Sequence, residues 1–197
     1  MHLALLLLLS GLIYILGFGA LSYVRRQGPS LRFAIEGLAI TAISVALVYL
    51  SVPISPLLFL LLIYLITMRV RLLVDLGDWF SARKEYPRAL GVFRLALRLG
   101  PDAVSRQIVL INRGVTELRM EAPEVAYRTL QEALAEEQAR TGAKHLAGGY
   151  YNLGLACCRT GREAEAVRCF NQAIEALPTS TYAQAARRAL QERSERA

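Results

Sequence analysis

Hydrophobic residues run almost without interruption through the first third of the chain and follow a helical period through the rest. Between positions 3 and 68 the charged residues are Arg25, Arg26, Arg32 and Glu36. From residue 69 to residue 197 there are 20 basic and 15 acidic residues, and apolar positions recur every three or four residues, as in amphipathic helices. The pattern predicts a transmembrane region over residues 1–68, followed by a helical, water-soluble domain.

Three apolar stretches in the first region approach or exceed the length of about 20 residues that a helix needs to cross a bilayer. We expect spans at residues 3–24, 33–52 and 54–72. A cleaved signal peptide is the alternative for the first stretch, although that run is longer than a signal core and lacks a basic start. In the third stretch the apolar run after Pro53 and Pro56 covers only residues 57–68, so a re-entrant or interfacial segment is the alternative there.

One carboxylate, Glu36, falls inside the second stretch. It lies four residues after Arg32, which places both side chains on one face of a helix, where they are expected to pair. An intramembrane carboxylate with a function of its own is the alternative.

Basic residues collect on one side of a three-span topology. The segment 25–32 and the flank 69–71 are basic, whereas residues 51–56 carry no charge. Basic flanks favour the cytoplasmic side, so the N-terminus is predicted outside and everything after residue 68 in the cytoplasm. We therefore expect an integral membrane protein of a bacterial inner membrane.

The C-terminal region repeats itself at spacings of 37 and then 40 residues. Each copy has an alanine, a large apolar residue four positions later, and a second alanine three positions after that. These are Ala89, Phe93 and Ala96, then Ala126, Leu130 and Ala133, then Ala166, Phe170 and Ala173. An earlier helix in each copy carries a glycine, at Gly77, Gly114 and Gly154. Single helix pairs cannot bury their apolar faces, so the copies are expected to stack.

This pattern resembles the tetratricopeptide repeat. The first copy matches the family motif from Leu73 to Pro101 and the last copy from Tyr150 to Pro178, whereas the middle copy has Arg113 in place of leucine and Glu121 in place of a turn glycine. The resemblance implies an all-α fold in which apolar N-terminal helices precede a solenoid of helical hairpins. We expect repeats at about 70–103, 107–138 and 147–180, and a capping helix at 179–197.

The resemblance also implies a partner-binding groove lined by the first helix of each repeat. In the register of the family the groove residues are Val74, Asp78, Ile111, Val115, Leu118, Tyr151, Leu155, Cys158 and Arg159. Such a groove takes a protein segment as its partner. The alternative is a groove filled by this chain itself, either by residues 136–148 or by the C-terminal helix.

Catalytic and metal-binding patterns are weak in this sequence. Cys157 and Cys158 are adjacent and point about 100° apart on a helix, so they do not chelate one ion together as a Cys-x-x-Cys pair does. Phosphate-binding loops, nucleophile elbows and zinc-protease motifs do not occur in the sequence. We expect neither an enzyme nor a bound cofactor or metal. The net charge of +7 is spread along the chain, which does not indicate nucleic-acid binding.

The function favoured by these features is a membrane-anchored adaptor or scaffold whose cytoplasmic groove binds a protein partner. One alternative is an accessory subunit or assembly factor of a larger membrane complex, docked through its transmembrane helices. A transport component is a further alternative, supported by Glu36 alone.

Overall fold

The computed structural model describes residues 2–24, 31–135 and 142–195. They form ten helices and no strand within those ranges, which confirms the prediction of an all-α fold. The helices are α1 His2–Val24, α2 Leu31–Tyr49, α3 Pro56–Thr67, α4 Arg69–Ala82, α5 Tyr86–Arg98, α6 Ala103–Arg119, α7 Pro123–Leu134, α8 Ala143–Arg159, α9 Glu163–Ala176 and α10 Thr181–Ser194. Two compact units divide the chain, an N-terminal unit Met1–Leu72 and a C-terminal unit Leu73–Ala197.

The N-terminal unit packs α1, α2 and α3 around a small apolar core. Leu7, Phe59 and Ile63 are fully buried at its centre. Helices α1 and α2 approach closely where Gly11 meets Thr41, because a Cβ atom at Gly11 would lie 2.3 Å from the threonine hydroxyl. Most other apolar side chains of these helices point outwards and are exposed.

A polar cluster joins the start of α2 to the start of α4. Glu36 accepts a hydrogen bond from Arg32 Nε at 2.8 Å and a second from Arg69 Nη2 at 2.8 Å on the same oxygen. Its other oxygen accepts from Arg69 Nη1 at 2.5 Å. The expected Arg32–Glu36 pair is present, and Arg69, 33 residues away, is a partner that the sequence pattern did not identify. Arg25 and Arg26, the other basic residues predicted near this end, lie outside the described residues.

Two described helices, α1 and α2, are long and apolar enough to cross a membrane. A third candidate exists only if the bent pair of α3 and α4 is counted as one span. Within the predicted span 54–72, α3 ends at Thr67 and α4 begins at Arg69, and Met68 between them has φ −98° and ψ 5°, outside the helical region.

The C-terminal unit consists of three helical hairpins and one closing helix. In each hairpin the glycine of the first helix faces the large residue of the second, so that the helices approach without a side chain between them. An added Cβ atom would lie 2.4 Å from Phe93 at Gly77, 2.5 Å from Leu130 at Gly114 and 2.6 Å from Phe170 at Gly154. These three large side chains are fully buried, which explains the spacing of the repeated residues.

The turn inside each hairpin has a residue with a positive φ angle at the same repeat position. These residues are Lys84 with φ 64°, Glu121 with φ 60° and Gly161 with φ 76°. Only glycine adopts this left-handed conformation without steric cost, so the first two turns are strained relative to the third.

Two hairpins begin earlier than the sequence pattern predicted. Helix α6 starts at Ala103 because the Asp102 side chain accepts a hydrogen bond from the backbone N–H of Ser105 at 2.8 Å, a typical N-cap. Helix α8 starts at Ala143. Helix α10 is capped in the same way by Ser180, whose hydroxyl accepts from the N–H of Ala183 at 3.0 Å.

Candidate functional site

The first helices of the three hairpins, α4, α6 and α8, lie side by side and form the surface predicted to bind a partner. Between α4 and α6, the hydroxyls of Ser81 and Thr116 are 2.9 Å apart. Between α6 and α8, Arg159 Nη1 donates to the Leu118 carbonyl oxygen at 2.9 Å. These contacts fix the spacing of the three helices and thus of the side chains along the predicted groove.

The nine predicted groove residues have three different degrees of exposure. Val74, Ile111 and Leu118 are buried in the packing between helices, so their side chains are not available to a partner. Four residues are half-buried, namely Val115, Tyr151, Leu155 and Cys158. Asp78 and Arg159 are exposed. The accessible part of the surface is therefore smaller and more polar than the sequence register implied.

Helix α10 packs against two of the predicted groove residues of the last hairpin, Tyr151 and Cys158. The ring of Tyr182 lies 6.0 Å from the ring of Tyr151. Arg193 Nη1 contacts Cys158 Sγ at 2.5 Å, and the same guanidinium pairs with Glu163. At these two positions the C-terminal helix lies against the predicted groove. The other candidate segment is residues 136–148, of which residues 136–141 lie outside the described residues and residues 143–148 form the start of α8.

An electrostatic pair lies at the opposite end of the surface. Surrounding protein displaces water from Asp78, although part of its side chain is exposed, and raises the pKa of Asp78 from 3.8 to about 6. The nearby guanidinium of Arg119 counteracts this rise in the pKa, and the carboxylate of Asp75 adds to it. Arg119 also donates to Ser81 Oγ at 3.0 Å.

Arg119 is a surface residue that the sequence prediction missed. It is the last residue of α6, as Arg159 is the last residue of α8. The two arginines are separated by the 40-residue spacing of the repeat, which was the signal available for finding Arg119. Cations at helix C-termini are also favoured by the helix dipole. Together they give the surface two arginines and one aspartate among half-buried apolar side chains.

The middle hairpin replaces an apolar motif position with an ion pair. Arg113 Nε donates to Glu117 Oε1 at 2.8 Å, and Glu117 is only 3% exposed. The second carboxylate oxygen, Oε2, is buried without a hydrogen-bond partner among the described residues. Arg113 therefore neutralises a buried carboxylate, which explains why an arginine stands where the family has leucine.

The cysteines lie in ordinary packing positions. Cys157 and Cys169 are buried beside a cleft of about 160 Å³ between α7, α8 and α9. Burial raises the pKa of the Cys157 thiol to about 12, with smaller contributions from Cys169 and Glu165. Such a thiol is protonated at neutral pH and is a poor nucleophile. Among the described residues, no group of three or more His, Cys, Asp or Glu side chains is arranged to hold a metal ion.

Comparisons with known proteins agree with this architecture. Residues 105–179 match the family model of the tetratricopeptide repeat. The Sgt2 tetratricopeptide repeat (TPR) domain from Aspergillus fumigatus is similar in structure, with a TM-score of 0.54 and 22% identity, over 64% of this chain and 80% of that one.

The Arabidopsis OM64 TPR domain is similar with a TM-score of 0.52 and 18% identity, over 63% of this chain and 95% of that one. At such low identities these two structures show the shared fold alone. No curated protein sequence matches the chain. The resemblance inferred from the repeated glycine, alanine and phenylalanine positions is confirmed.

Proposed function

We propose that this chain is a membrane-anchored adaptor that holds a protein partner against α4, α6 and α8, and the match of residues 105–179 to the tetratricopeptide repeat supports this. Tetratricopeptide repeats are protein-interaction modules and are typically not enzymes. The proposal places α1 and α2, and α3 as a third span, in a bacterial inner membrane with the repeats in the cytoplasm. No catalytic residue, cofactor or metal has a role in it.

The observation that carries the proposal is the mixed character of the accessible surface. Val115 and Leu155 supply half-buried apolar area, while Asp78, Arg119 and Arg159 supply charge around it. Apolar contacts give affinity and the charges give orientation and selectivity. The surface is suited to an extended or helical protein segment that has apolar side chains and at least one carboxylate facing the two arginines.

The test is photo-crosslinking in living cells from single positions of the full chain. A photoreactive residue at Val115 or Leu155 should give a discrete protein adduct. The matched controls are Val125 and Val167, exposed valines on the second helices α7 and α9, which should give none. Arg119→Glu, combined with the probe at Val115, should abolish the adduct. Equal adducts from all four positions would contradict the proposed surface.

Truncation distinguishes the adaptor from the accessory subunit, because the two functions place the partner on different helices. Helices α1–α3 expose many large apolar side chains, among them Ile13 and Leu57, and these are available to lipid or to a membrane subunit. A chain lacking residues 1–68 should keep the Val115 adduct if the repeats bind the partner. It should lose that adduct if binding needs the apolar helices. A reporter fused after Ala197 tests the orientation, since an external reporter would contradict a cytoplasmic repeat domain.

A further inference from the structure

One side of α4 carries an apolar and aromatic surface that remains accessible in the folded chain. Leu76 is 42% exposed and Trp79 is 47% exposed. The Phe80 ring packs edge-on against Trp79, with 5.0 Å between the ring centroids. We call Leu76, Trp79, Phe80 and Arg83 the α4 patch. It is separate from the partner-binding surface, which uses Asp78 on the adjoining side of the same helix.

Cations lie directly against the rings of this patch. The Arg83 guanidinium is 3.9 Å from the centroid of Trp79, and the Arg88 guanidinium is 5.9 Å from the centroid of Phe80. Over residues 69–88 the chain has five basic and three acidic side chains. Tryptophan and arginine with an apolar body and a polar tip are the residues that settle at a membrane interface.

The two ends of the repeat array differ in the polarity of their exposed side chains. The outer surface of α10 exposes Arg187, Arg188, Gln191 and Glu192, which is the polar face that a terminal repeat needs in order to remain soluble. The α4 patch at the other end exposes leucine and tryptophan instead. An apolar terminal face indicates that something other than water covers it.

Chain connectivity identifies what lies nearby. Trp79 follows Met68, the residue at which the apolar helix α3 ends, by eleven positions. Along a helix this separation is roughly 16 Å. If α3 is in the bilayer, the α4 patch is therefore tethered within reach of the headgroup layer.

We propose that the α4 patch binds the headgroup layer of an anionic phospholipid bilayer, with Trp79 and Leu76 inserted at the boundary of the acyl chains and Arg83 among the lipid phosphates. Amphipathic helices with this combination of side chains bind such interfaces through buried apolar area and charge attraction. The inference rests on the membrane anchoring proposed above, and it assigns a second lipid contact beyond the apolar helices.

Trp79 is the sole tryptophan of the chain, so its fluorescence reports on the patch directly. The full chain is reconstituted into vesicles of phosphatidylglycerol and phosphatidylcholine, with and without bromine atoms on the upper acyl chain. We expect brominated lipid to quench Trp79 strongly and acrylamide in the aqueous phase to quench it weakly. Strong acrylamide quenching together with no effect of bromine would overturn the inference.

Substitutions on and off the patch provide matched variants that keep the probe. Leu76→Glu should weaken quenching by brominated lipid and increase quenching by acrylamide several-fold. Leu95→Glu, which changes a leucine of similar exposure on α5 (47%), should change neither. Arg83→Glu serves as a second patch variant, and circular dichroism verifies the helical fold of all three. Identical quenching in the parent chain and both patch variants would contradict a role for the patch.

Two further measurements separate a failure of the proposed lipid contact of the α4 patch from a failure of the proposed membrane anchoring. If alkaline carbonate releases the chain from the vesicles, the proposed membrane anchoring fails. If the chain is retained but Trp79 is open to acrylamide, the anchoring stands and the patch inference fails. If Trp79 is shielded from acrylamide and also insensitive to bromine, and dilution of the protein in lipid abolishes the shielding, a second copy of this chain covers the patch instead of lipid.

Discussion

The middle hairpin and the two outer hairpins of the repeat domain share one geometry but reach it with different side chains. All three have a glycine facing a large buried residue. The outer hairpins have apolar residues around that contact, whereas the middle one has the Arg113–Glu117 pair. The glycine contact therefore defines the repeat, while neighbouring positions tolerate a charged residue if a residue of opposite charge pairs with it.

Removing one member of the ion pair should give the largest effect. Arg113→Leu restores the family residue but leaves the buried Glu117 carboxylate unpaired, which should destabilise the fold by about 3 kcal/mol. The double variant Arg113→Leu with Glu117→Phe should recover that loss or exceed the parent, because an apolar pair of similar volume needs no buried charge. Urea unfolding followed by circular dichroism measures both. A single variant as stable as the parent would contradict the need for the pair.

Adding a methyl group at the glycine contacts should give the next largest effect. Gly154→Ala pushes a Cβ atom into the buried Phe170 ring, and overpacking of this kind costs about 1–3 kcal/mol. Gly114→Ala should cost less, because the facing Leu130 side chain is more adaptable than a ring. Gly91→Ala on α5, where an added Cβ would meet no atom within 4 Å, should stabilise the helix by about 0.5–1 kcal/mol. Thermal unfolding of the three variants tests this order.

The raised pKa of Asp78 gives the first hairpin a pH dependence of its own. Between about pH 4 and pH 6 the unfolded chain loses this proton while the folded chain keeps it, so stability should fall as the pH rises through that window. Since Asp78 is exposed, we expect a fall of only roughly 1 kcal/mol.

Asp78→Asn should abolish this fall in stability with rising pH and leave the variant more stable than the parent above pH 6. Asp75→Asn should reduce the fall, because it removes a neighbouring negative charge that helps to raise the pKa of Asp78. Arg119→Gln should enlarge the fall in stability, because it removes a positive charge that lowers the pKa of Asp78. Unfolding curves collected from pH 4 to pH 7 distinguish the three outcomes, and a fall unchanged in Asp78→Asn would assign it to another group.

Substitutions in the turns should change the stability of the fold least, and in opposite directions. Glu121→Gly removes a left-handed non-glycine residue from the middle hairpin and should stabilise it by about 0.5–1 kcal/mol. Gly161→Ala introduces that strain into the last hairpin and should destabilise it by about 1 kcal/mol. Midpoints of thermal unfolding that shift in the same direction for both would show that φ at these positions does not control stability.

The sequence predicted the contacts that recur in every repeat, and it did not predict single contacts between residues that are distant along the chain. The spacing of Gly77, Phe93 and their counterparts predicted the hairpins, because each contact recurs at every repeat. The pairing of Glu36 with Arg69 was not predictable, since the two residues lie 33 positions apart on elements without periodic relation. The burial of Ile111 and Leu118 was missed for a related reason. The family register shows which face a residue is on but not how closely the next helix covers it.

The contact between α10 and α8 gives the proposed groove a direction. Because Tyr151 and Cys158 lie against Tyr182 and Arg193, a bound segment meets a closed end there, while Asp78 remains open at the other. A dead-ended channel discriminates between the two orientations of a peptide and limits how many residues it can align. The closing helix therefore limits the length of the channel, and a partner segment that extends past α8 must either leave the channel or displace α10.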